Sequence, residues 1–147
     1  MNTYDANGIR FHFPEGWRIE ESRDDGQLTV TLLSSDTSFW SATVFDEFQD
    51  GQHVIDQVLD TLREEYGQLD VYEATTQFCQ ASNLSCDVEF ICYELVNSAF
   101  LRFVASDVRQ LLIYYQGTDH ELVKSRLVLE AITESLRITD GAADFRR

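Results

Sequence analysis

The sequence predicts an α+β fold: an α/β/α sandwich in which a largely antiparallel sheet of six to seven strands carries one helix on each face. Three observations lead to this prediction. Most apolar segments alternate with a period of two, as strands do. Two segments, near Gln52 to Tyr66 and Thr118 to Leu136, have apolar residues at helical spacing. Short gaps between successive strands favour hairpins, which join antiparallel neighbours.

The first half of the chain supplies three predicted strands. Ile9 to Phe13 alternates and is stopped by Pro14 and Gly16, after which Trp17 returns to the core. Gln27 to Leu33 places Leu, Val and Leu on one face and Gln, Thr and Thr on the other. Ser38 to Phe48 continues this alternation with apolar residues on both faces, which indicates a strand partly covered on each side.

A helix, a weak strand and a buried strand are predicted next. The helix ends at Gly67, a residue that adopts a left-handed cap at little cost. A weaker strand lies near Asp70 to Gln77 and is followed by a loop at Ala81 to Ser85. Between Val88 and Leu95 both faces read as apolar, so we expect this strand to be central in the sheet.

The last third predicts a hairpin and the second helix. Ala99 to Ala105 and Val108 to Gln116 are two strands joined by a tight turn at Ser106-Asp107. The sequence from Thr118 to Glu121 has the form of a capping box, in which the threonine hydroxyl and the glutamate carboxylate bind backbone N–H groups at a helix start.

Length and composition favour one acidic domain. The 147 residues fit a single domain, 1–139, with 140–147 expected to be a flexible C-terminal tail. Twenty-six acidic residues against eleven basic ones give a formal charge of −15. Nucleic-acid binding depends on clustered Lys and Arg, so we expect no nucleic-acid partner. The acidic surface either serves solubility alone or suits a basic protein partner.

The sequence gives little support for a membrane protein or for a metal site. No run of 18 apolar residues occurs and the segment from Met1 to Arg10 is polar, so we expect a soluble protein without membrane insertion or an export signal. Three cysteines, Cys79, Cys86 and Cys92, are an odd number without C-x-x-C pairs, which favours the cytoplasm and no metal site. A Cys79–Cys86 disulfide would require oxidising conditions.

The opening of the chain resembles a known family. Gly8-Ile9-Arg10-Phe11-His12-Phe13-Pro14-Glu15-Gly16-Trp17 is similar to the start of PsbP-like proteins, and Ser135 to Ile138 resembles their ending. The resemblance implies the Mog/PsbP-like α/β/α sandwich over about residues 4 to 138. It also implies a non-enzymatic binding, assembly or chaperone-like module. No binding residue of the family has a counterpart here.

No catalytic constellation stands out, so we expect neither an enzyme nor a cofactor. There is no G-x-S-x-G elbow, no cysteine-protease signature and no glycine-rich phosphate loop. The three histidines, His12, His53 and His120, lie where a strand faces outward or a helix begins, which indicates surface residues.

Two groups of charged residues are candidates for binding. Asp46, Glu47 and Asp50 form the densest acidic patch, at a strand-to-helix junction where negative charge also favours the helix N-terminus. Arg102 and Arg109 interrupt apolar strands, and we expect them to pair with a carboxylate such as Glu89 or Glu94.

The sequence therefore favours a non-enzymatic module that binds a basic protein partner through an acidic sheet edge or helix-flanking surface. The alternative is a small-ligand-binding domain or an unrecognised enzyme, with a pocket between sheet and helix lined by Trp40, Phe90 and Tyr114. A structural subunit of a larger assembly is a third hypothesis.

Overall fold

The computed structural model describes residues 1–74 and 82–139. They form two helices and ten strands. The helices are α1 (Gly51–Tyr66) and α2 (Asp119–Ser135). The strands are β1 (Asn2–Ala6), β2 (Ile9–Phe13), β3 (Arg18–Asp24), β4 (Gln27–Leu33), β5 (Phe39–Phe45), β6 (Asp70–Glu73), β7 (Ser82–Cys92), β8 (Leu95–Ala105), β9 (Gln110–Thr118) and β10 (Arg137–Ile138).

Seven strands form one antiparallel sheet in the order β3-β4-β5-β9-β8-β7-β6. The central strand β8 shows how the helices are arranged, because successive side chains on a strand point to opposite faces. Leu101 belongs to the core cluster that contains α1, whereas Phe100 and Val104 belong to the cluster that contains α2. The helices therefore lie on opposite faces of the sheet, as predicted.

The core under α2 is the larger of the two and includes a second sheet. Strands β1, β2 and β10 form a three-stranded antiparallel sheet, and the buried face of β2 (Ile9, Phe11, Phe13) packs with α2 against the main sheet. The Trp40 indole is fully buried there, with its ring 4.7 Å from that of Phe11. Its Nε1–H donates to the Thr133 hydroxyl at 2.9 Å, which satisfies the one polar group of the ring.

The helix ends are fixed by the residues that the sequence indicates. Asp50 caps α1 by accepting hydrogen bonds from the backbone N–H groups of Gln52 and His53. Gly67 ends the helix at φ 85°, a left-handed conformation that glycine adopts without strain. Thr118 and Glu121 form the predicted capping box at the start of α2. The Ser106 N–H donates to the Arg109 carbonyl at 2.9 Å and closes the predicted turn between β8 and β9.

Charged side chains occupy both edges of the main sheet. All seven residues of β3 are exposed, and five of them are ionisable: Arg18, Glu20, Glu21, Arg23 and Asp24. At the other edge all four residues of β6 are exposed, and its two ends are Asp70 and Glu73. Charge on an edge strand is a common protection of unpaired backbone groups.

The prediction of one central strand from Val88 to Leu95 is wrong. These residues span the end of β7, a turn at Tyr93 and Glu94, and the start of β8, and β7 lies next to the sheet edge. Only one face of this segment is buried, since Ile91 is 57% and Tyr93 92% exposed. The true central strands, β8 and β9, are covered on both faces.

Other boundaries also differ from the predictions. The expected loop at Ala81 to Ser85 is strand from Ser82 onward, because these residues pair with the far end of β8. Strands β1, β3 and β10 were not predicted. Residues 75–77 of the strand expected at Asp70 to Gln77 and the expected tail 140–147 lie outside the described residues.

Candidate functional site

Helix α1 covers only part of its sheet face. It packs on β7 and β8, with Leu59 and Leu62 buried against Val88 and Phe90. On the same face β4 and β5 present a row of half-buried side chains. This row has polar and aromatic members, and they are Gln27, Thr29, Thr31, Phe39, Ser41, Thr43 and Phe45. Because α1 does not extend over these strands, their side chains on this face stay partly exposed to solvent.

A groove of about 410 Å³ lies between α1 and these strands, and we call it the α1 groove. Its lining residues share one property, which is that none carries a formal charge at neutral pH. They are Gln27, Thr43, Phe45, Gln49, Val54, Gln57, Val58, Thr61, Leu62, Leu112 and Tyr114. Apolar walls with a few hydroxyl and amide groups are the usual composition of a binding site.

Tyr114 is the most constrained polar residue of the α1 groove. Its hydroxyl donates to Gln116 Oε1 at 2.5 Å, and its ring stacks on Phe39 with centroids 5.8 Å apart. Burial, followed by the nearby Tyr66 and the Glu65 carboxylate, raises the pKa of Tyr114 well above its ordinary value. The phenol therefore stays protonated, and it offers a hydrogen bond rather than a base.

The predicted acidic patch lies at one end of the α1 groove. Asp46, Glu47 and Asp50 belong to the loop between β5 and α1, which also contributes Gln49 to the groove lining. Asp46 pairs with Arg23 at 3.1 Å, and Asp50 caps α1, so two of the three carboxylates also have structural roles. Their role in binding a partner stays a prediction.

This loop holds an exposed phenylalanine that the sequence analysis missed. Phe48 is 87% exposed, although it sits among the three acidic residues. The loop beside it is anchored, because the Gln49 N–H donates to Gln110 Oε1 at 2.6 Å and Gln110 Nε2 donates back to the Gln49 carbonyl at 3.0 Å. We call residues 46–50 the acidic loop. The acidic loop therefore carries one exposed apolar ring among its acidic residues.

The aromatic residues predicted to line a pocket are only partly brought together. Tyr114 lines the α1 groove, but the prediction is wrong for Trp40, which is fully buried on the opposite face. It is also wrong for Phe90, which is 3% exposed because it stacks on Tyr66 with centroids 4.4 Å apart.

Arg102 pairs with a carboxylate, but with neither of those predicted. It is 5% exposed and donates to Asp87 Oδ1 at 2.7 Å and to the Leu101 carbonyl at 2.9 Å. Glu89 points to the same face but accepts from the Tyr72 hydroxyl, and Glu94 lies in the exposed turn before β8. Arg109 lies at the turn between β8 and β9, against Gly8.

The remaining predicted groups do not converge within the described part of the chain. No three His, Cys, Asp or Glu side chains of residues 1–74 and 82–139 come together as a metal site requires. Cys86 is a buried free thiol whose pKa is raised by burial, and Cys79 lies outside the described residues. The three histidines are exposed. Neither α1 nor α2 is long and apolar enough to cross a lipid bilayer.

Comparisons with known proteins show the fold and leave the function open. No protein-family model and no curated protein matches the chain. The structure is similar to that of LpqN, involved in cell envelope biogenesis of Mycobacterium tuberculosis, with a TM-score of 0.53 and 14% identity over 90% of this chain and 83% of LpqN. It is also similar to PA94 from Pseudomonas aeruginosa, a protein of unknown function and putative regulator. That likeness has a TM-score of 0.57 and 10% identity over 95% of this chain and 98% of PA94.

Proposed function

We propose that this protein is a non-enzymatic binding module that takes up a basic segment of a partner protein. The segment places one apolar side chain in the α1 groove and its Lys or Arg residues against the acidic loop. The observation that carries the proposal is the position of an uncharged groove directly beside a loop that carries Glu47, Asp50 and an exposed phenylalanine. The resemblance to binding modules of the PsbP-like group agrees with this role.

Charge complementarity supports the choice of a basic partner. The formal charge of the whole chain is −15, which attracts cationic segments at long range. Besides the acidic loop, Asp60, Glu64 and Glu65 lie on α1, which forms one wall of the groove. Close contact then depends on the apolar lining, since exposed ion pairs contribute little to affinity.

The chemistry of the α1 groove supports a role without catalysis. Among the described residues that line it, Tyr114 is the only one with an ionisable side chain, and its raised pKa keeps it protonated. General acid–base or nucleophilic catalysis needs a group that changes protonation or attacks near neutral pH. The hydroxyl and amide groups of the α1 groove can instead bind and orient a ligand.

Peptide selection tests the proposal directly. Random peptides displayed on phage are selected for binding to the wild-type protein. The affinity of the selected peptides is then measured by fluorescence anisotropy at increasing salt concentrations. We expect enrichment of Lys or Arg next to Leu, Phe or Trp, with affinity that falls as salt rises. Enrichment of acidic or uncharged peptides, or affinity independent of salt, would show that the electrostatic reasoning is wrong.

Matched variants locate the binding surface. Thr43→Arg places a charge in the α1 groove, and Phe48→Ser removes the apolar ring of the acidic loop. Val123→Ser is the control, because Val123 is 84% exposed on α2, on the opposite face of the sheet. We expect the first two variants to weaken peptide binding about tenfold or more and the control to leave it unchanged. Equal losses of peptide affinity in all three variants would show that the α1 groove and the acidic loop are not the binding surface.

A small neutral ligand is the second candidate for the same groove. Its volume of about 410 Å³ lies within the usual range of ligand pockets, and Gln27, Thr43 and Tyr114 offer hydrogen-bonding groups. Thermal-shift screening against uncharged metabolites distinguishes the two. Stabilisation by one of them that Thr43→Arg abolishes would favour this candidate over the basic segment.

A further inference from the structure

The last described residue, Thr139, lies close to the acidic loop. Its N–H donates to the Gly8 carbonyl at 2.9 Å, which holds Thr139 at the turn between β1 and β2. Thr139 and Asp46, the first residue of the acidic loop, line the same cavity, which has a volume of about 530 Å³. The chain therefore continues into residues 140–147 from a point beside the proposed binding surface.

Residues 145–147 have the composition of the ligand that the proposed function requires. They are Phe145, Arg146 and Arg147, an aromatic ring followed by two cations. The chain has eleven basic residues, and no other two of them are adjacent in the sequence. The one pair of adjacent cations in this acidic chain therefore follows directly after an aromatic residue.

The length of the chain allows this segment to reach the acidic loop. Phe145 is six residues beyond Thr139, and six extended residues span up to about 20 Å. Asp46 shares a cavity with Thr139, and Gln49 of the α1 groove follows Asp46 within about 11 Å along the chain. Because no long loop has to close, the entropic cost of such a contact is small.

We propose that residues 145–147 occupy the binding surface of their own molecule and that a partner has to displace them. This inference rests on the proposed function, because it assigns a segment of this chain to the same α1 groove and acidic loop. The phenyl ring of the segment enters the groove, and its two guanidinium groups lie against Glu47 and Asp50, which are both exposed. Opposite charges on the segment and the loop favour this contact.

The size of the groove and the short connection decide how strongly the segment competes. A protein cavity of about 150 Å³ holds a benzene ring, so the α1 groove, at about 410 Å³, has room for a phenyl ring. A short linker gives its segment an effective concentration on the order of 1 mM. An intrinsic Kd of about 0.1–0.3 mM is then enough for the segment to fill the site in most molecules.

Peptide affinity in two variants of the whole chain tests the proposal. The triple variant combines Phe145→Ser, Arg146→Ser and Arg147→Ser. The control is the double variant Lys124→Ser/Arg126→Ser, which loses the same two positive charges from α2, on the opposite face of the sheet. We expect a selected basic peptide to bind the triple variant about four- to tenfold more tightly than the double variant, because the competing segment is gone. Equal affinities would overturn this inference and leave the proposed function intact, whereas binding to neither variant nor wild type would overturn both.

A synthetic peptide of residues 139–147 provides a second measurement. Added to the triple variant, it should bind with a Kd of about 0.1–0.3 mM by fluorescence anisotropy, and Thr43→Arg in the same variant should abolish this binding. No binding at about 3 mM peptide, or binding that Thr43→Arg leaves unchanged, would overturn the inference. Analytical ultracentrifugation of the wild type separates the two possible donors of the segment. A dimer that the triple variant loses would assign the segment to a second copy and overturn the intramolecular contact.

Discussion

Glu121 is the residue whose replacement most directly tests how the start of α2 is held. Its carboxylate accepts from the Thr118 N–H at 2.9 Å within the capping box. It also accepts from the N–H and hydroxyl of Thr37 at 2.6 and 2.7 Å, and from the Ser38 N–H at 3.2 Å. One side chain thus caps the helix and attaches it to the loop between β4 and β5.

The size of the effect follows from these bonds. Loss of a helix-capping interaction costs about 1 kcal/mol, and loss of the charge-assisted bonds to Thr37 costs about 1–2 kcal/mol for a half-buried group. Glu121→Ala should therefore lower the free energy of unfolding by about 2–3 kcal/mol and Tm by about 5–10 °C. Glu121→Gln, which keeps one carbonyl acceptor, should cost about half as much.

The effect of Glu121 should depend on pH. Burial favours the neutral acid, but the hydrogen bonds from Thr118 and Thr37 outweigh it and lower the pKa of Glu121. Because the folded-state pKa lies below the unfolded value of about 4.3, the contribution is complete above about pH 5 and is lost as pH falls through the folded pKa.

Urea denaturation of wild type, Glu121→Gln and the control Glu134→Gln, at several pH values, measures this contribution. Glu134 is exposed in the last turn of the same helix, so its replacement should change stability by less than about 0.5 kcal/mol. The difference between wild type and Glu121→Gln should shrink below about pH 4. A difference that stays constant down to pH 3, or equals that of the control, would refute the reasoning.

Three further substitutions have defined outcomes, each measured by urea denaturation. Asp87→Ala leaves the buried Arg102 guanidinium without its carboxylate and should cost about 2–4 kcal/mol, whereas Asp87→Asn, which keeps an oxygen acceptor, should cost less; equal losses would show that the acceptor oxygen contributes nothing beyond its negative charge. Asp50→Ala removes the cap of α1 and should cost about 1 kcal/mol, and Asp50→Ser should recover most of it. Gly51→Ala puts a methyl group 2.5 Å from the Phe103 ring and should cost about 1–2 kcal/mol despite the better helix propensity of alanine; a gain in stability would show that the ring moves freely.

Elements with a strong local signal could be predicted from sequence. Helix α1 combines a helical apolar stripe with a glycine cap, and α2 starts with a complete capping box. Strand β4 alternates so regularly that its buried face was assigned correctly, and β5 is buried on one face and half-buried on the other, in agreement with the predicted cover on both sides. Strand β3 was missed because it is an edge strand whose charged side chains are all exposed, so that only backbone pairing with β4 defines it.

Features that depend on distant packing could not be predicted. The turn at Tyr93 and Glu94 uses positive φ at two residues other than glycine, so the sequence offered no turn signal and two strands were joined into one. The sequence shows that the hydroxyl residues of β4 and β5 alternate with apolar residues. Their exposure beside α1, however, depends on which half of the sheet that helix covers, and this is set by contacts such as Tyr66 on Phe90.

The ionisable side chains of β3 and β6 also influence which strands could pair with the edges of the main sheet. A segment that lengthened the sheet at β3 would have to align its own backbone beside two glutamates and an aspartate. Growth of fibrils by edge-to-edge strand addition faces the same barrier, which the overall charge of −15 reinforces through repulsion between copies. The charge of these edges therefore disfavours pairing with another copy of this chain, whereas a basic segment would not meet the same repulsion.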